Sequence, residues 1–168
     1  YLVSRYRKIE VRMWSDERFR ALSRSPACGQ SLWLYLLTGP QTGPVPGLYR
    51  AGAASLAEGL GWEREGFLKA FGEVFDKGMV EADFDAMLIW VPKAIKFNKP
   101  ESPNVVRSWR VELDLLPECE LKRRAVAAIG EFLGSMGEPY LRAFCEIAPG
   151  NECPIGKAAG ESSGKPSP

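Results

Sequence analysis

Basic side chains form two blocks that could hold the phosphate groups of a polyanion. Residues 1–24 carry seven basic side chains against three acidic ones, and residues 92–110 carry five against one, a balance of +4 in each block. Residues 51–91 lie between them and carry three basic against eight acidic side chains, a balance of −5. Such segregation favours a surface with distinct poles, on which the two basic blocks attract the polyanion. Scattered, solvated charge is the alternative interpretation.

The chain contains no histidine, the usual general base of enzymes. Ser-His and Cys-His nucleophile pairs and histidine-rich metal centres are therefore excluded. Asp83 and Asp85 are spaced to point to the same side of a strand, as a metal-dependent nuclease would require. At the tip of a hairpin, however, two aspartates more commonly stabilise the turn than bind a metal ion. We therefore expect no enzyme activity, no catalytic residue and no cofactor.

The cysteines are too widely spaced for a common metal site. They lie at positions 28, 119, 145 and 153 and form no Cys-x-x-Cys pair. Because histidine is also absent, we expect no metal site. An even number of cysteines could pair, but wide spacing in a chain with a core of its own favours free thiols.

Length and composition favour a soluble protein with a sizeable core. The chain has 168 residues, of which 45% are hydrophobic. The most apolar run, residues 32–37, is far too short to span a bilayer, and no charged-then-apolar signal segment opens the sequence. We therefore expect a cytoplasmic location and no membrane partner.

Residues 55–78 predict two short helices that meet at a tight turn. Ser55 with Glu58 forms a potential capping box, and Gly61 ends that helix. A second helix follows Trp62 and should end at Gly78. Its apolar residues are spaced as a stripe that packs on a core, namely Phe67, Leu68, Phe71, Val74 and Phe75.

A hairpin follows this pair of helices. Residues 79–82 and 87–91 are rich in strand formers and flank the polar segment 83–86. Helix, helix and hairpin in this order build a winged helix-turn-helix, with residues 63–77 as the recognition helix and the hairpin as the wing. A plain core of two helices and a hairpin is the alternative.

The remaining segments predict mostly helices. Residues 8–13 alternate charged and apolar side chains, which is typical of a strand. Acidic residues 16 and 17 begin a short helix, and a second helix from Pro26 is apolar nearly all round and should be wrapped by other elements. Residues 93–109 should be irregular, and two helices should follow within residues 118–148, with Lys122, Arg123 and Arg124 on a solvated face. We expect the Gly-, Pro- and Ser-rich residues 149–168 to form a disordered tail.

These expectations define an α+β, mostly helical fold: a winged helix-turn-helix with a small C-terminal helical annex. The domain boundaries that we expect are residues 1–110 for the winged-helix domain, 111–148 for the helical annex and 149–168 for the tail.

Residues 5–110 resemble the N-terminal winged-helix domains of phage and prophage replication-initiation, or replisome-organiser, proteins. The resemblance depends on the order of several short motifs along the chain, which are Tyr6-Arg7-Lys8-Ile9, Trp14, Phe19-Arg20-Ala21-Leu22-Ser23, Leu32-Trp33-Leu34-Tyr35-Leu36-Leu37, Leu56-Ala57-Glu58-Gly59-Leu60-Gly61-Trp62, Phe75-Asp76-Lys77-Gly78-Met79-Val80, Trp90-Val91-Pro92-Lys93 and Lys96-Phe97-Asn98. It implies a double-stranded DNA-binding module that acts in replication initiation and recruits other replication proteins. After Trp109 we expect a short helical annex and a tail rather than a larger helicase-loading domain.

The expected partner is double-stranded DNA, with single-stranded DNA, other replication proteins and a second copy of the chain as further candidates. The candidate DNA-binding residues come from the two basic blocks and the recognition helix and are Arg7, Lys8, Arg12, Arg64, Lys69, Lys93, Lys96, Lys99, Arg107 and Arg110. Acidic residues outnumber basic ones in that helix, which fits poorly with a groove lined by phosphates. The alternative function is therefore a protein-protein interaction module without direct DNA binding, in which the acidic helix meets a basic partner.

Overall fold

A computed structural model of the protein describes residues 11–22 and 24–148. The described chain is α+β and mostly helical, as the sequence predicted, with one small antiparallel sheet. A 3-10 helix over Val11–Ser15 comes first. The elements that follow it are α1 (Glu17–Ala21), α2 (Gly29–Thr38), β1 (Leu48–Arg50), α3 (Ala53–Leu60), α4 (Arg64–Asp76), β2 (Glu81–Asp83), β3 (Leu88–Trp90), α5 (Ala94–Phe97), α6 (Pro103–Ser108), α7 (Arg110–Leu115), α8 (Glu120–Met136) and α9 (Glu138–Cys145).

The sheet has the strand order β1-β3-β2, and both pairs are antiparallel. Trp90 faces Leu48 on one side and Glu81 on the other, so these three residues mark one end of the sheet. The predicted hairpin is present, although β2 begins at Glu81 rather than at residue 79. The central strand β3 is buried along its whole length.

Alternate residues of β3 belong to two separate cores, because successive side chains of a strand point to opposite faces. Ile89 packs in the first core, which α2, α3 and α4 supply with side chains such as Leu36, Leu56 and Phe67. Leu88 and Trp90 pack in the second core, which the helices after the sheet complete. The sheet is therefore covered on both faces.

The second core is built by α6, α7, α8 and α9. Trp109, Leu113 and Phe144 are almost wholly buried in it. Lys122 is also buried, with 1% of its surface exposed, whereas its neighbours Arg123 and Arg124 are exposed. The prediction of a solvated face for all three basic residues is therefore wrong for Lys122. Its Nζ donates to the carbonyl oxygen of Leu116, which ends α7, and pairs with Glu118.

The N-terminal part differs from the sequence prediction. Of the strand expected over residues 8–13, the described residues 11–13 belong to a 3-10 helix, and residues 8–10 lie outside the described residues. Trp14 holds this helix against α2, because its Nε1 donates to Thr38 Oγ1 at 3.0 Å and its ring meets the edge of Tyr35. The predicted cap of α1 is confirmed: Asp16 accepts from two backbone N–H groups of the first turn.

Two helix predictions near the first core were also wrong in detail. The N-cap of helix α3 is Gly52, three residues before the expected capping residue Ser55, and the Ser55 hydroxyl accepts from the Gly52 N–H. Helix α2 begins at Gly29 and is not wrapped on all sides, since Leu34 and Leu37 are 55% and 41% exposed.

Residues 93–109 were expected to be irregular but form α5 and α6, each of one or two turns. Both are stabilised by burial of side chains in the second core, namely Ile95 and Val106, which periodicity in such short segments does not reveal.

Of the cysteines, Cys28 and Cys119 are free and Cys145 is disulfide-bonded, so the prediction of free thiols fails at Cys145. Within residues 11–22 and 24–148, no helix combines the length and apolar character that a membrane span requires.

Candidate nucleic-acid interface

A rigid turn between α3 and α4 sets the direction of α4. Gly61 has a φ of 68°, a left-handed conformation that glycine adopts without strain, and its N–H donates to the carbonyl oxygens at the end of α3. Trp62 then donates from its backbone N–H to Ala57 and from its indole Nε1 to the Ser25 carbonyl oxygen, at 2.7 Å. The turn is therefore fastened both to α3 and to the segment that precedes α2.

Arg24 lies directly on this turn. Its guanidinium occupies the space that a Cβ at Gly61 would need. The side chain is exposed and forms no ion pair with a described residue. The candidate residues from the sequence omitted Arg24, although it belongs to the N-terminal basic block; only its contact with the turn distinguishes it from the other arginines there.

The outward face of α4 carries both signs of charge. Arg64 and Lys69 are exposed there and form no ion pair with any residue in the described ranges. Glu63 and Glu65 flank Arg64 and are also exposed. Two residues of the predicted apolar stripe lie on the same outer side rather than in the core, since Leu68 and Phe75 are 43% and 49% exposed. A ligand of α4 would therefore meet cations, carboxylates and apolar surface.

Glu73 lies towards α2 rather than towards a ligand of α4. Its Oε2 is 2.5 Å from the place where a Cβ at Gly29 would stand, at the amino end of α2. A carboxylate is stabilised there by the positive end of the helix dipole. The pKa of the neighbouring Cys28 thiol lies below its ordinary value, mainly because Ser31 hydrogen-bonds to it, while Glu73 opposes this shift. One exposed acid of α4 therefore lies next to the amino end of α2.

The hairpin turn, residues 84–87, packs back on α4. Asp83 accepts the Ala86 N–H at 2.9 Å, and Phe84 places its ring centroid 4.9 Å from that of Phe71. Asp83 therefore acts as a turn former. Among the described residues no group of three or more potential protein ligands is arranged to hold a metal ion.

The segment that leaves β3 carries three lysines, and we call residues 93–99 the lysine segment. Lys93, Lys96 and Lys99 are exposed, and none of them is in an ion pair with a described residue. No acidic residue occurs between Val91 and Glu101. The lysine segment therefore carries three exposed ammonium groups that are not paired with any carboxylate of residues 11–22 and 24–148.

Two of the candidate basic residues are engaged within the protein. Arg107 forms two hydrogen bonds with Glu146, Nε to Oε2 at 2.6 Å and Nη2 to Oε1 at 3.0 Å, and this contact raises its pKa. Arg110 lies 4.0 Å from Asp114, one helical turn away on α7. Both residues are therefore less available to phosphate groups than the lysine segment is.

The lysine segment and the hairpin turn lie at opposite ends of the sheet. The lysine segment leaves the sheet at the end marked by Trp90, whereas the hairpin turn lies beyond the opposite end, where Asp83 faces Leu88. Three-residue strands separate the two by about 10 Å. Arg12 is exposed on the 3-10 helix. Arg7 and Lys8 lie outside the described residues.

Comparison of the chain with protein-family models, with curated proteins and with solved structures found no match.

Proposed function

We propose that this protein is a winged helix-turn-helix protein that binds double-stranded DNA and acts in the initiation of phage or prophage replication. The observation that carries the proposal is the order α2, β1, α3, α4, β2 and β3 combined with the strand order β1-β3-β2. In such a fold α4 is the recognition helix and the hairpin turn is the tip of the wing. The role in replication depends on the resemblance of the sequence motifs to replisome-organiser proteins.

The contacts with DNA are assigned to two regions. Arg64 and Lys69 on α4, with Arg24 beside the turn that precedes it, face the groove and its adjacent phosphates. The lysine segment contacts backbone phosphates, because its ammonium groups have no carboxylate partner in the part of the chain that the structure describes. Contacts of this second kind position the protein without reading the base sequence.

Salt dependence of binding tests the proposal. Titration of a fluorescein-labelled duplex should show an affinity that falls roughly a thousandfold between low and moderate salt if six or so phosphates are neutralised. Reversal of Lys93, Lys96 and Lys99 to glutamate should weaken binding to all sequences alike. Arg64→Ala should reduce the affinity for a specific site more than the affinity for unrelated DNA. Reversal of Arg123, Arg124 and Arg142, which are already paired with Glu120, Glu81 and Glu138, changes the net charge equally and is the matched control.

Absence of salt-sensitive binding at low ionic strength would reject this function. Equal loss of affinity in the control and in the lysine variant would also count against it, because net charge alone would then explain the binding.

A protein-interaction module is the second candidate function. The observation in its favour is that Glu63, Glu65 and Asp76 of α4 and its cap are exposed and form no ion pair within the described part of the chain. A basic partner that docks on these carboxylates should lose affinity on Glu65→Lys, while DNA affinity stays unchanged or rises. Retention of the partner by that variant would exclude this face as the docking site.

A further inference from the structure

Phe97 is exposed to an extent that packing does not explain. Its relative accessibility is 84%, the highest of the large hydrophobic side chains among the described residues. It ends α5, in the middle of the lysine segment. The Phe97 ring belongs to neither of the two cores.

The backbone that carries Phe97 is nevertheless firmly placed. Ala94 and Ile95 of the same turn are buried, and the position of a Cβ at Gly47 is only 2.5 Å from Ala94 Cβ. The turn is closed by Asn98, whose backbone N–H and side-chain amide both donate to the Ala94 carbonyl oxygen at 3.0 Å. The ring therefore projects from a fixed turn.

The surroundings of the ring select the chemistry of its ligand. Lys93, Lys96 and Lys99 flank it, without a carboxylate partner among the described residues. An apolar protein surface that covered Phe97 would have to desolvate these ammonium groups without pairing them, which is costly. A strand of unpaired nucleotides supplies both a flat π surface for the ring and phosphates for the lysines, the combination that single-strand binding sites use.

We propose that the lysine segment is a binding site for single-stranded DNA in which Phe97 stacks on an unpaired base and the flanking lysines hold the backbone. This site rests on the proposed function and deepens it: a protein that docks on a duplex through α4 could hold one strand where the duplex opens. Base-paired DNA keeps its bases stacked inside the helix, so Phe97 adds little to duplex affinity.

The test compares two labelled strands of equal length, an oligothymidylate and an abasic strand with the same phosphates but no bases. Wild-type full-length chain should bind the oligothymidylate more tightly than the abasic strand. Phe97→Ala should weaken oligothymidylate binding about five- to tenfold, at the lower end of the range for one stacked base, and leave abasic binding unchanged. Phe97→Trp should keep or raise the preference, and Phe97→Leu, which is apolar without a π face, should lose it.

Leu115→Ala removes another exposed apolar side chain, 67% accessible on α7, and serves as the control. Because Phe97 makes little packing contact, its variants should keep the thermal midpoint of the wild type. If wild type binds neither duplex nor strand at low salt, the proposed function itself falls. If wild type binds the duplex but prefers oligothymidylate over the abasic strand no more than Phe97→Ala does, the single-strand site alone is overturned. Phe97-dependent binding to anionic lipid vesicles, with no preference for bases, would overturn it in favour of a membrane surface.

Discussion

Arg107 on α6 and Glu146 at the end of α9 face each other in a two-bond ion pair, with 2.6 Å between Nε and Oε2. The pair fixes two helices of the second core to each other. It also occupies a guanidinium that the sequence had assigned to DNA.

Release of Arg107 should therefore strengthen DNA binding. Glu146→Gln removes the carboxylate charge, so Arg107 becomes free to neutralise a phosphate. We expect higher duplex affinity at low salt and a slope of log K against log salt steeper by about 0.9. Glu138→Gln, which removes the partner of Arg142 on α9, changes the net charge equally and is the control. Identical slopes in the two variants would show that Arg107 contacts no phosphate.

The same pair makes stability depend on pH. The hydrogen bond from Arg107 holds the pKa of Glu146 below its ordinary value. The ion pair therefore stabilises the fold fully above the pKa of an unfolded glutamate, about 4.3. This stabilisation is lost as the pH falls through the lower pKa of the folded state. Urea unfolding should show the largest difference between wild type and Glu146→Gln near pH 7. The difference should shrink below pH of about 4. Glu131→Gln, at an exposed carboxylate on α8 that is in no ion pair with a described residue, is the control variant.

Lys122 should be important for the second core despite its charge. Its ammonium is buried, and it satisfies the Leu116 carbonyl oxygen at 3.1 Å while pairing with Glu118. Lys122→Met keeps the apolar stem but leaves that oxygen unsatisfied, which should cost about 1–3 kcal/mol. Chemical denaturation measures the loss, with Arg123→Met at an exposed neighbouring position as control. Equal stability of the two variants would contradict the structural role.

Gly61 should tolerate substitution poorly. Alanine in the left-handed conformation costs roughly 1–2 kcal/mol, and its Cβ would also displace Arg24 from the turn. Gly61→Asn should cost less, because asparagine accepts this conformation more readily. Gly72→Ala in the interior of α4, where nothing lies within 4 Å of the new Cβ, should instead stabilise by up to about 1 kcal/mol. The free energy of unfolding in urea ranks the three variants, and an unchanged Gly61→Ala would contradict this reading of the turn.

Sequence patterns predicted the elements whose periodicity extends over several turns. Helices α4 and α8 and the hairpin are near their expected positions, and Gly61 and Gly78 end the helices as expected, both with positive φ. The short elements were missed because four to six residues contain too little periodicity, and in α5 and α6 the stabilising contacts come from distant residues.

The candidate site was predictable by composition but not by geometry. The sequence located the lysine segment and the charges of α4. It could not show that Arg107 is paired with Glu146, that Glu73 lies against α2, or that Arg24 covers the turn, since each contact joins residues far apart along the chain. Nor could it distinguish the exposed Phe97 from a core aromatic.

The position of β3 has a consequence for how the molecule unfolds. This strand supplies Ile89 to one core and Leu88 and Trp90 to the other, so neither core is complete without it. Loss of α7, α8 and α9 would expose Leu88 and Trp90 of β3, the strand that also supplies Ile89 to the first core. We therefore expect the two halves to melt in a single cooperative transition, and a fragment cut after residue 110 to aggregate rather than persist as an independent unit.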